Sequence, residues 1–361
     1  MSLTCLWFHG AVSSGNLSSA KSTLSFDPAV IGCRDQTGWT PLHWAVNSNR
    51  PQIVQWLLDN KADIEAQNKN GATPLHDAAY SGYPEPARIL LARGAKVDPI
   101  DKFGNTPLAD AALNGHADVA VLLLQHHANI EARSKKGYTP LADAAGEGSA
   151  DVAGLLIDAK ANIEARDNDG FTPLQQAAWA DKPDVVAELL EAHADVNARA
   201  NGGELALQGA AKANSIATAV LLFDHGAKVD AADNKGYTAL SSAVFAGHTG
   251  VARILIAHGA NVNAANANGQ TPLHWAASKG YVDVARLLVE NGAAIDAHDK
   301  GDDTPLHFAA AYGQVEMTEF LLDHGADMTV KTNLGCTPLR AARDYHQQAT
   351  ADLIARRGGK E

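Results

Sequence analysis

The threonine of the Thr-Pro-Leu triplet at residues 271–273 recurs along this chain at a spacing that never slips. Steps of 33 residues in either direction land on Thr40, Thr73, Thr106, Thr139, Thr172, Thr238, Thr304 and Thr337. One step fails in identity, at Leu205, where Leu205-Ala206-Leu207 keeps the spacing. A fixed period of this size describes an array of copied supersecondary units rather than a globule around one core.

Within the unit Asn266–His298 the local physics is legible. Thr before Pro before an apolar run starts a helix: the hydroxyl caps free N–H groups, and Pro fits the first turn, where its missing donor had no partner. Leu273, Ala276 and Ala277 form a narrow apolar face, and the small Ala residues let helix axes approach to about 8–10 Å. Gly280 is placed to end this helix in a left-handed conformation. Val284, Leu287 and Leu288 recur at helical spacing in a second helix that closes at Gly292. Neither helix buries enough apolar surface alone, so stacking of units must fold the chain.

The stretch TPLHWAASKG followed by VARLLVENGAAIDA resembles the ankyrin repeat. The resemblance implies an all-α repeat solenoid, each repeat a helix-turn-helix plus a β-hairpin finger, in a right-handed stack. Nine units are expected at 35–67, 68–100, 101–133, 134–166, 167–199, 200–232, 233–265, 266–298 and 299–331. Residues 332–361 read as a C-terminal capping repeat, with polar Gln347, Gln348, Arg356 and Arg357. Residues 1–34 read as a tail, loose to about Gly10, and a degenerate, Ser-rich, polar capping unit in which Gly15-Asn16-Leu17 opens a helix. With both ends capped, no stretch is expected to hold a catalytic domain.

Departures from the pattern carry their own expectations. His43 and His76 sit in the turn motif, where the family's histidine bonds to the adjacent repeat, while Ala109 and Ala142 replace it in the third and fourth units. Lys61, His127, Lys160 and His193 stand where other copies have the loop glycine, and a left-handed conformation there costs on the order of 1 kcal/mol. The sixth unit, 200–232, is the most degraded and reads as the soft point of the array.

Charge and cysteines narrow the partner class. The 361 residues carry a formal net charge of −12, with basic residues scattered, which argues against a nucleic-acid surface and favours a partner with a basic surface. Cys5, Cys33 and Cys336 are odd in number and far apart, forming neither a metal spacing nor a disulfide framework. A reducing, cytoplasmic setting is therefore expected. No apolar run is long enough for export or membrane spanning.

By the same resemblance, the fingers and exposed faces of the first helices line a concave groove for a protein partner. Aromatic residues concentrate there: Trp39, Tyr138, Phe171 and Tyr237 after the finger glycine, Trp44, Trp275 and Phe308 after the His position, and Tyr80, Trp179, Phe245 and Tyr312 near helix ends. Residues of this type anchor interfaces. Asp77, Asp110 and Asp143 form a column, roughly 10 Å apart, too widely spaced for joint metal coordination. It reads as a strip attracting Lys or Arg, or as a solvated acidic face. The chain shows no phosphate-cradling loop, no nucleophile elbow and no His-Glu-x-x-His, and most histidines are copied turn or loop residues. The expectation is a monomeric, non-enzymatic scaffold without cofactor or metal; a regulator that covers a partner enzyme's active site is the alternative.

Overall fold

The computed structural model describes residues 2–361. Among them lie 22 α-helices and one short 3-10 helix, with no β-strand. The helices come in pairs. In the second repeat Thr73 caps the helix Pro74–Ser81 from an extended conformation, with Pro74 in its first turn, and Gly82 closes it at φ 69°. The following helix, Pro84–Ala92, buries Pro86, Ala87, Leu90 and Leu91. The same pattern repeats with the sequence period.

The chain divides into two compact units: one runs to Ala177 and includes Asp184–Ala194, the other comprises Ala178–Pro183 and Asp195–Glu361. In the first, the helices Pro41–Asn47, Pro74–Ser81, Pro107–Leu113 and Pro140–Glu147 pack side by side, backed by Pro51–Asp59, Pro84–Ala92, Ala117–Gln125 and Ala150–Asp158. In the second, Ala206–Lys212, Ala239–Phe245, Pro272–Lys279, Pro305–Ala311 and Pro338–Asp344 do the same. Their backing helices are Ile216–Asp224, Thr249–Ala257, Val282–Glu290, Val315–Asp323 and Gln348–Arg356. Each unit is thus a stretch of all-α repeat solenoid whose core is Leu, Val and Ala from facing pairs.

The fingers are hydrogen-bonded turns rather than β-hairpins with paired strands. In the third, Asp101 Oδ1 accepts from the Phe103 and Asn105 N–H groups, both at 2.8 Å, and the Asp101 N–H bonds the Asn105 carbonyl. Neighbouring fingers are joined by single backbone bonds, Lys102 N–H to Asn70 O and Lys135 N–H to Phe103 O, each 2.8 Å. One bond per neighbour is too little for a strand ladder. Gly104 is required here because a Cβ would stand 2.9 Å from the Lys135 nitrogen. Lys61, His127, Lys160 and His193 adopt the expected left-handed backbone, with φ between 62° and 69°.

The N-terminal region departs from expectation in two ways. Residues read as a loose tail form the helix Leu3–Ser14, because Cys5, Phe8 and Val12 recur at helical spacing and bury. Leu3, Leu6 and Trp7 of that helix are exposed, as is Phe26, while Ser14, Asn16, Ser18, Ser19, Lys21, Ser22 and Ser25 give the segment that follows a mostly polar outer face. And the expectation of no disulfide is overturned, since Cys5 and Cys33 are joined in one, with Cα atoms 6.1 Å apart. The helix starting at Leu3 and the 3-10 helix Pro28–Gly32 bring together residues 28 positions apart, and the ground for a reducing setting disappears with it. Asn16 does cap the helix Leu17–Phe26, as expected. No helix among the described residues is long and apolar enough to cross a membrane.

Candidate protein-binding face

The turn histidines hold the repeats together and are removed from solvent. In the first repeat the Thr40 N–H donates to His43 Nδ1 at 3.2 Å, and His43 Nε2 lies 3.2 Å from the Ala72 carbonyl of the next finger. A backbone donor at Nδ1 and a carbonyl at Nε2 assign the proton to Nε2. His76, His274 and His307 repeat this, reaching the Asn105, Asp303 and Cys336 carbonyls at 3.0–3.1 Å. Burial lowers all four, His43 to about 4, so the rings are neutral. With Ala109 and Ala142 this link is missing. In the degraded sixth repeat Gln208 replaces it, accepting from the Leu205 N–H at 2.9 Å and donating to the Tyr237 carbonyl.

The acidic column is not a solvated strip. Asp77, Asp110 and Asp143 are only 8%, 7% and 9% exposed. They sit in the first turn of their helices, and the packed neighbouring helices and fingers cover them. Asp77 Oδ2 is enclosed with no hydrogen-bond donor among the described residues. Burial pushes the Asp77 and Asp110 carboxyls well above the usual carboxylate range, and Asp143 up to about 7. The charges reinforce one another: Asp110 raises Asp77, Asp101 and then Asp143 raise Asp110, and Glu147 raises Asp143.

Comparison between repeats shows what this column lacks. In the first, Trp44 Nε1 donates to Asp35 Oδ2 of its own finger at 3.1 Å; in the fifth, Gln176 Nε2 donates to Asp167 Oδ2 at 2.6 Å. Both pairs are nine residues apart. Asp110 stands nine residues after Asp101, so a carboxyl occupies the register in which Trp44 and Gln176 place N–H donors, and the Asp101 charge helps hold it protonated. Asp101 was absent from the sequence-based candidates. The nine-residue spacing of finger acid and helix side chain, visible in the sequence, is the signal that could have found it.

The candidate aromatics fall into two groups. Tyr80, Phe245 and Tyr312 are exposed; Trp39, Trp44, Tyr138, Phe171, Trp179, Tyr237, Trp275 and Phe308 are half-buried. Several of the latter pack on one another: Trp39 and Trp44 edge to face at 5.1 Å, Trp275 against Tyr237 at 6.0 Å and Phe245 at 5.5 Å, and Phe308 against His274 at 5.3 Å. Lys136 lies over Tyr138, 5.9 Å from the ring centre. Trp179 fills the space left by Gly209, where a Cβ would meet its Cδ1 at 2.3 Å, with Lys212 over its ring at 5.0 Å. It is a packing residue as much as a surface one. In the second unit Phe308, Tyr312, Leu334 and Tyr345 line an open depression of about 680 Å³, with Arg340 and Asp344 at its polar side.

Sequence profiles for ankyrin repeats (3 copies) match residues 8–101, 108–200 and 207–299, and one for ankyrin repeats (many copies) matches 288–342. The chain belongs to the ankyrin-repeat family. Ankyrin repeats are protein-interaction modules. The chain is similar to protein phosphatase 1 regulatory subunit 27 of Mus musculus, 45% identical over 58 residues, covering 16% of this chain and 37% of the relative. The Homo sapiens protein of the same name is 43% identical over the same length and coverage. The chain thus spans little more than a third of the length of these relatives.

Proposed function

We propose that this chain is a non-enzymatic ankyrin scaffold whose partner presents a basic segment to the first unit, with an arginine or lysine entering the register between Asp101 and Asp110. The observation that carries the reading is the buried carboxyl at Asp110 where Trp44 and Gln176 place N–H donors. A guanidinium or ammonium there offsets the Asp101 charge, lets Asp110 release its proton and ionise, and donates to the resulting carboxylate. Such a charge-assisted bond in a nearly enclosed site is stronger than one between neutral groups. The exposed rings of Tyr80, Phe245 and Tyr312 supply apolar contact area without first having to be uncovered. A preformed surface lowers the ordering cost of association.

Asp110→Gln tests this directly. Glutamine would donate to Asp101 as Gln176 does to Asp167, so the variant should keep or gain thermal stability while losing the cation site. The measurement is capture of the partner from a lysate by the native chain and by Asp110→Gln, followed by affinity measurement with the identified partner at low and high salt. Loss of capture with an intact melting curve supports the reading; equal affinity for both chains sinks it. Both curated relatives are named as regulatory subunits, which favours a regulatory adaptor over a mechanical spacer. Assay of a phosphatase catalytic subunit with and without this chain distinguishes the two: a spacer leaves the rate unchanged.

A further inference from the structure

Three metal-ligating groups converge at the N-terminal end, outside the acidic column. Cys5 and His9 lie four residues apart on the helix Leu3–Ser14, which sets them on one face. Cys33, at the end of the 3-10 helix Pro28–Gly32, returns against that face. His9 Nε2 stands 3.8 Å from Cys5 Sγ and 3.5 Å from Cys33 Sγ. The three ligand atoms lie within 4.8 Å of one another; Cys5 and His9 are buried, and Cys33 is partly open to solvent.

Those distances suit a tetrahedral ion. With Zn–S of about 2.3 Å and Zn–N of about 2.0 Å, the sulfur-to-nitrogen edge of a tetrahedron is about 3.5 Å. Both such edges are already near that length, so only the sulfur-to-sulfur edge, closed by the disulfide, has to open to about 3.8 Å. We propose that Cys5, His9 and Cys33 form a zinc site in the dithiol state, for which the Cys5–Cys33 disulfide is the metal-free alternative. The nearby Asp35 supplies field rather than a ligand, because its Oδ1 accepts from Thr37 and Trp39 and its Oδ2 from Trp44. The fourth position is left to water on the open side of Cys33.

The interconversion balances. A dithiol reductant gives two electrons and two protons to the disulfide, yielding the Cys5 and Cys33 thiols and the reductant's own disulfide. Zn²⁺ then replaces the two thiol protons and forms two Zn–S bonds and one Zn–N bond, releasing both protons to solvent. Either state ties the first helix to the turn preceding the first repeat, so the metal and the disulfide are alternative staples at the same place.

The test uses the full chain carrying Cys336→Ser, so that the free cysteine contributes nothing. Reduced, metal-free protein is titrated with Co²⁺ under anaerobic conditions. The expected result is one equivalent bound with the visible bands of tetrahedral cobalt and a thiolate charge-transfer band, displaced by Zn²⁺; the oxidised protein should show neither. His9→Gln, which keeps both thiols, should weaken binding roughly tenfold or more. Circular dichroism checks that the helices persist. In a second measurement, alkylation of Cys5 and Cys33 in the otherwise native reduced chain should slow on adding Zn²⁺ while alkylation of Cys336 does not. Absence of the tetrahedral spectrum from reduced protein, or its persistence in His9→Gln at undiminished affinity, overturns the proposal.

Discussion

Asp143 offers the sharpest physical test, because its burial makes stability fall as pH rises. The folded carboxyl titrates at about 7 against 3.8 for the ordinary group, with burial as the main cause and the charge of Glu147 second. A carboxylate whose folded pKa is raised costs nothing while it is protonated in both states, below about pH 3.8. The penalty grows as pH climbs from 3.8 to 7 and is complete above that. At about 1.36 kcal/mol per unit, the gap between 3.8 and 7 corresponds to an upper value of about 4 kcal/mol at pH 8, and about half of that near pH 5.4. Asp143→Asn removes the titration but leaves an amide in the same place, whose imperfect hydrogen bonding costs a pH-independent amount of about 1–3 kcal/mol. The signature is therefore the slope. Denaturant unfolding of the native chain and the variant between pH 4 and 8 should show Asn gaining relative stability with pH, by roughly 2–4 kcal/mol across the window. A difference in stability that stays flat from pH 4 to 8 would refute the assignment of a buried, unpaired carboxyl.

Three further outcomes follow from the packing. His76→Ala should lower stability by about 1–3 kcal/mol in chemical denaturation, since it strips the Thr73 cap and leaves the Asn105 carbonyl without its donor; a change below about 0.5 kcal/mol would show the link to be idle. Gly209→Ala should cost about 1–3 kcal/mol through the clash with Trp179, and most of that cost should vanish in a Trp179→Ala background; additive effects would contradict the contact. Tyr312→Ala should change the unfolding free energy by no more than about 0.5 kcal/mol, yet weaken partner binding measured by calorimetry; a large loss of stability would make it a packing residue.

Much of the fold was legible because each repeat obeys local rules that recur at one period. The Thr-Pro start, the closing glycines and even the left-handed Lys61, His127, Lys160 and His193 follow from chain geometry within a few residues. What eluded the sequence depends on neighbours. Asp77, Asp110 and Asp143 look like surface residues along one helix, and only the adjacent helices and fingers cover them. Trp179 looks like an anchor until the missing side chain at Gly209 receives it. The helix Leu3–Ser14 ends in the register of a first helix but lacks the Thr-Pro-Leu start, so neither it nor the pairing of Cys5 with Cys33 was announced by the repeated triplet.

The neutral turn histidines and the buried aspartates respond to acid with opposite signs, and they occupy different repeats. His43, His274 and His307 lie in the first, eighth and ninth, Asp110 and Asp143 in the third and fourth, and only the second holds one of each, His76 and Asp77. A histidine held below its usual value contributes stability that is present above about pH 6.5 and drains away as pH falls, for His43 toward about 4. The aspartates gain over the same descent, as their carboxyls take up protons. Mild acidification therefore loosens the first and eighth repeats and tightens the third and fourth, while in the ninth the raised carboxyl of Asp303 opposes His307, so the most fragile place along the array migrates with proton concentration.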